Sequence, residues 1–130
     1  KKRLIGEGLE ITDLGNDHLD PVDDYVTFAR SVAEATVGDP QNRGILICGS
    51  GAGMDMVANK VKGVRSALVF DLKRAVQARE HEDANVISIP SDVLDEESGY
   101  EILKAFLETD FSNEERHIRR LEQMKKLEES

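Results

Sequence analysis

Three short apolar runs punctuate the chain: Gly44-Ile-Leu-Ile-Cys48, Ser66-Ala-Leu-Val-Phe70 and Asn85-Val-Ile-Ser-Ile89. Each is continuous rather than alternating, as a strand covered on both faces requires. The segment Leu9-Glu-Ile-Thr-Asp-Leu14 alternates instead and reads as a weaker strand nearer an edge. Helical spacing fills the intervals. Tyr25, Phe28, Ala29, Val32 and Ala33 share one helical face, as do Met54, Val57, Ala58 and Val61. Asp71 to His81 reads as a polar surface helix, and Gly99 to Glu108 as a helix carrying Ile102, Leu103, Phe106 and Leu107. Ser112 and Glu115 have capping-box spacing ahead of a last helix with Ile118, Leu121, Met124 and Leu127 on one stripe. That stripe needs a cover, from its own domain or from a partner subunit. Strand and helix alternating in this way predict a Rossmann-like three-layer α/β/α fold around a parallel sheet.

Composition narrows the function. With 130 residues the expectation is one domain, residues 1–130. Seventeen basic against 26 acidic side chains give a net charge of −9, which opposes a general nucleic-acid or anionic-membrane binder. Four Phe, two Tyr and no Trp offer little for stacking on bases. No apolar run approaches the ~20 residues of a membrane span. Glu7 and Glu10 interrupt any signal-peptide core after Lys1-Lys2-Arg3. The single cysteine, Cys48, cannot form an internal disulfide, so a reducing cytoplasm is the expected setting. Lys1 to Gly8 reads like the second half of a helix ending at glycine, and a further N-terminal piece is expected ahead of it.

The chemistry concentrates in Cys48-Gly49-Ser50-Gly51-Ala52-Gly53-Met54, between a buried strand and a helix. Ligands of open α/β sheets bind at the carboxyl ends of strands. Glycines there let the backbone approach a ligand, and loop amides favour negative charge, a thiolate included. Two generic readings compete. Asp71 about twenty residues on suggests a dinucleotide fingerprint, but Met54 stands where G-x-G-x-x-G needs its third glycine. A Walker A loop fails, since no Gly-Lys-Ser/Thr follows. The second reading is a cysteine hydrolase with Cys48 as nucleophile and His81 as base, on the expectation that both lie on one rim of the sheet.

Longer stretches resemble a known family. Gly44-Ile-Leu-Ile-Cys-Gly-Ser-Gly-Ala-Gly-Met54, Ala58-Asn-Lys-Val61, Gly63-Val-Arg65 and Ala78-Arg-Glu-His-Glu-Asp-Ala-Asn-Val86 are similar to type B ribose-5-phosphate isomerases, a family that includes galactose-6-phosphate isomerase subunits. Arg116-His-Ile-Arg-Arg120 resembles its C-terminal Arg-His-x-x-Arg, and Asp13-Leu-Gly15 with Asp24-Tyr25 and Phe28-Ala29 fits its early part. The resemblance implies aldose–ketose isomerisation of a phosphorylated sugar through a cis-enediol, without metal or cofactor. Cys48 then matches the proton-transfer base, and Ser50 a hydroxyl that moves a proton between the two sugar oxygens. The amides of Gly49, Ser50, Gly51, Ala52 and Gly53 match an oxyanion hole. His81 matches a ring-opening residue and Tyr25 a pocket-lining one. Arg116 and Arg120 match arginines that reach the phosphate in a neighbouring subunit's site. A homodimer or tetramer with shared sites is therefore implied, with the C-terminal helix extending to the partner.

Departures from the pattern carry their own expectations. The family's first strand, ending in Asp-His, has no counterpart here, and Asp17-His18 lies in an acidic loop after the Asp13 motif. Glu82 replaces a substrate-facing Asn, and Asp92 replaces a phosphate-side Arg. Both changes add negative charge beside an anionic substrate. A non-catalytic sugar-binding or partner subunit of the same family is the alternative they suggest.

Overall fold

The computed structural model describes residues 6, 8–15 and 25–129. Along them run α1 (Tyr25–Val37), β1 (Gly44–Cys48), α2 (Ala52–Ala58), β2 (Ser66–Leu68), α3 (Leu72–Glu82), β3 (Val86–Pro90), α4 (Glu96–Glu108) and α5 (Glu115–Glu129). The three strands form a parallel sheet of order β1-β3-β2, with Gly44 and Ser66 both opposite Val86 and Cys48 opposite Pro90. All carboxyl ends therefore share one edge. The apolar run of β3 is explained by its central place, because every residue from Val86 to Pro90 is buried. Its side chains serve both faces by strand alternation. Val86 joins Ala29, Ala33, Leu46, Ala58 and Val64 under α1 and α2. Ile87 and Ile89 join Ala75, Ala78, Ile102, Leu103 and Phe106 under α3 and α4. This is the expected three-layer α/β architecture.

Helix α3 is less of a surface helix than its polarity suggests. Ala75 and Ala78 are buried, and so is Arg79, at 4% exposure. That guanidinium is tolerated because three of its five N–H groups are bonded: Nε donates to the Thr109 carbonyl at 3.0 Å, and Nη1 to Asp83 Oδ1 and the Ala84 carbonyl at 2.8 and 2.7 Å. Asp71 caps the helix by accepting from the Arg74 amide at 2.7 Å.

Two expectations need correction. Leu9 to Leu14 forms no ladder with any described strand. Only Ile11 of this segment packs on the core, so the alternation marks one inward residue rather than a paired strand. The capping box is also absent. The Ser112 hydroxyl accepts from the Glu114 amide at 3.2 Å and contacts His117 Nδ1 at 2.7 Å. Asn113, at φ 60, turns the chain between Ser112 and the helix start. Asp17 and His18, and most of the expected helix from Lys1 to Gly8, lie outside the described residues.

Candidate active site

Cys48 ends β1 half-buried, and the chain leaves it through Gly49, Ser50 and Gly51. Gly51 is at φ 77, and a Cβ there would come within 2.6 Å of Leu68 Cδ1 and 3.2 Å of the Pro90 nitrogen. No other residue fits a left-handed position pressed against backbone. The exit of β3 clasps the same loop: Ser91 and Asp92 amides donate to the Cys48 and Gly49 carbonyls at 2.9 and 3.0 Å. The Ala52 amide donates to Ser50 Oγ at 3.3 Å, which folds that hydroxyl back over the loop. Tyr25, from the start of α1, lies on Gly53 so closely that a Cβ there would be 2.8 Å from its ring. Cys48, Gly49, Ser50, Gly51, Ala52, Gly53 and Tyr25 are thus brought together at the carboxyl edge of the sheet. Asp92 joins them, its carboxylate 3.1 Å from the point where a Gly49 Cβ would sit.

Directly behind the loop stands a polar cluster that the sequence pattern did not reveal. Ser66 Oγ donates to Asp55 Oδ1 at 2.6 Å and lies 3.2 Å from Ser88 Oγ, joining α2 to β2 and β3. Burial pushes the Asp55 carboxyl above the usual range, opposed by the hydroxyls of Ser66 and Ser88. Its folded-state value therefore exceeds its unfolded one. The stability it contributes is complete below the ordinary carboxylate range and is lost as pH rises through the raised value. Replacing Asp55 with Asn should remove that loss. Relative to the unaltered chain, the urea midpoint of Asp55→Asn should climb with pH across this window and then level off. Parallel midpoints at every pH would show that Asp55 does not titrate between the two states.

The remaining candidates occupy the opposite edge. Helix α3 leaves the carboxyl end of β2 and returns to the amino end of β3, so its last turn lies at the strands' amino ends. There Arg65, just before β2, donates to the carbonyls of Glu82 and Asp83 at 3.1 Å. His81, half-buried, and Glu82, exposed, stand in this turn. The start of α5 is tied beside them, because the Ser112 amide donates to the Glu80 carbonyl at 3.1 Å. Arg116 and Arg120 are exposed on that helix. Cys48 and His81 are accordingly separated by strands about 13 Å long. This corrects the expectation that they share a rim, and it removes the geometry of a cysteine hydrolase built within one chain. Among the described residues no cluster of His, Cys, Asp and Glu is arranged to hold a metal ion. None of their helices is long and apolar enough to cross a membrane.

Comparison with known proteins meets the same fold. A sequence model of the family described as Ribose/Galactose Isomerase matches residues 1–124. The chain is 42% identical over 120 residues to the probable ribose-5-phosphate isomerase B of Mycoplasma pneumoniae, covering 92% of this chain and 78% of that one. It is 38% identical over 126 residues to ribose-5-phosphate isomerase B of Mycobacterium tuberculosis, covering 94% and 78%. Ribose-5-phosphate isomerase B from Mycoplasma genitalium, solved with bound ribulose-5-phosphate, superposes with a TM-score of 0.94 at 38% identity over 99% of this chain and 85% of that one. The enzyme from Thermotoga maritima gives 0.90 at 34% identity, over 96% and 85%. The chain belongs to the ribose/galactose isomerase family, and its activity is sugar-phosphate isomerisation.

Proposed function

We propose that the chain interconverts an aldose phosphate and its ketose, ribose 5-phosphate and ribulose 5-phosphate being the leading pair, with Cys48 as the proton-transfer base. The observation that carries this reading is the placement of a half-buried thiol at a strand end followed by the loop Gly49-Ser50-Gly51 and the glycine-bearing start of α2. In the aldose direction Cys48 takes the proton from C2 and returns one to C1. Ser50 shifts a proton between O1 and O2, so the enediol collapses to the ketose. Amides from Gly49 to Gly53 hold the charge that develops on oxygen. Tyr25 closes one side of the pocket. His81 opens the furanose ring, Glu82 accepts from a sugar hydroxyl, and Arg116 and Arg120 bind the phosphate.

These two groups of residues lie at opposite edges of one sheet, so a site that uses both is built from two copies of the chain. The carboxyl edge of one subunit meets the amino edge of its partner, most simply in a two-fold dimer. A reducing cytoplasm suits a working thiol. Asp92 beside Gly49 favours a second reading of the substrate, a sugar phosphate other than ribose 5-phosphate, because its carboxylate opposes a phosphate or enediolate in the same space.

One incubation separates the readings. With ribulose 5-phosphate in deuterated water, the protein should yield ribose 5-phosphate carrying deuterium at C2, as proton transfer through an exchangeable base requires. Saturable binding without product would remove this pair and leave another sugar phosphate as the substrate.

A further inference from the structure

His117 is 3% exposed, at the start of α5, and nothing in the proposed reaction uses it. Its ring lies against that of His81, with centroids 4.6 Å apart and planes tilted by 35°. Among the described residues no hydrogen bond holds either nitrogen of His81, so the orientation of that imidazole rests on the ring beneath it. His117 is itself fixed. Its Nδ1 is 2.7 Å from Ser112 Oγ, and the Phe111 ring stands 6.4 Å away. The amide of Ser112 in turn binds the carbonyl of Glu80, the residue before His81. The contacts run in a closed circuit, from Glu80 to Ser112, to His117, to His81 and back along α3. A ring anchored in this way backs the imidazole at a fixed tilt, while leaving both of its nitrogens to a substrate.

We propose that His117 is a positioning residue, which aims His81 at the sugar ring through an aromatic stack. The proposal rests on the reading of His81 as the ring-opening group. Ring opening moves the proton of the anomeric hydroxyl to the ring oxygen as the C1–O4 bond breaks and C1 becomes an aldehyde. A ketopentose 5-phosphate has no such ring, because its 5-oxygen is esterified. Initial rates in the two directions therefore separate aiming from folding. A fault in His81's aim affects the aldose direction, whereas a merely structural fault lowers both.

The test compares His117→Leu, which fills the space without a flat ring, with His117→Phe, which restores the ring but not the bond to Ser112. His117→Leu should lower kcat, read at saturating substrate, for ribose 5-phosphate by on the order of 10- to 100-fold and leave kcat for ribulose 5-phosphate nearly unchanged. His117→Phe should recover most of the loss, at a similar melting temperature. His81→Ala is the reference. If it loses the aldose direction selectively and His117→Leu does not, the positioning role falls while the ring-opening role stands. If His81→Ala affects both directions equally, the ring-opening role falls and the positioning role with it. Equal loss in both directions for His117→Leu, unrelieved by Phe, would reduce His117 to packing.

Discussion

A Cys48→Ala chain is expected to keep its fold and lose about 10²–10⁴-fold in isomerisation rate, the usual contribution of a positioned general base. The fold should survive because Cys48 is only half-buried and the loop around it is held by other groups. Gly51 packs against Leu68 and Pro90, and the amides of Ser91 and Asp92 bind carbonyls, which alanine also supplies. The melting temperature should therefore move little while turnover collapses. Cys48→Ser is a useful companion, since a hydroxyl of similar size is a far weaker base at neutral pH than a thiol. Turnover that Cys48→Ala leaves unchanged, with any sugar phosphate the unaltered chain converts, would remove Cys48 from the reaction.

The second large effect is a recovery. Cys48→Ala and His81→Ala should each be inactive toward ribose 5-phosphate as homodimers. Mixed under conditions that exchange subunits, they should regain up to about a quarter of full activity. Random pairing makes half of the dimers mixed, and each mixed two-fold dimer has one intact site and one doubly defective site. Arg120→Ala should complement Cys48→Ala in the same way, because both His81 and Arg120 belong to the amino-edge group. Conversely, Arg120→Ala and His81→Ala should not complement each other, since the defects fall in the same half-site. Failure of the first two mixtures, with subunit exchange demonstrated by differently tagged chains, would overturn the two-copy site.

How much of this was legible in the sequence depends on the kind of signal. Buried parallel strands announce themselves as unbroken apolar runs, so β1 and β3 were clear. The pattern of Gly49, Gly51 and Gly53 located the candidate loop because backbone approach demands glycine. The apolar face of α4 was equally plain. What pattern alone did not give was the direction of α3. That a helix following a strand returns to the opposite edge follows from right-handed crossover topology, and applying it would have parted His81 from Cys48 at once. Asp55, Ser66 and Ser88 escaped notice because they are distant in sequence and meet only once the sheet forms. His117 was visible as part of Arg116-His-Ile-Arg-Arg120, but the motif alone assigns it no neighbour. Its burial beneath a second imidazole is a tertiary fact.

The buried Arg79 has one more consequence. Its guanidinium ties the end of α3 to Thr109, beyond α4, and to the entry of β3 at Ala84. Arg65, ahead of β2, grips the same Asp83 that Arg79 does, at 3.3 and 2.8 Å. None of these segments can open alone without stranding a buried charge, which costs far more than a lost contact between neutral groups. Amide hydrogens along the second half of α3, the start of β3 and the end of α4 should therefore exchange with solvent as one cooperative unit rather than fraying separately. Such a result would make the α3–β3–α4 body one foldon, with His81 and Glu82 standing on it.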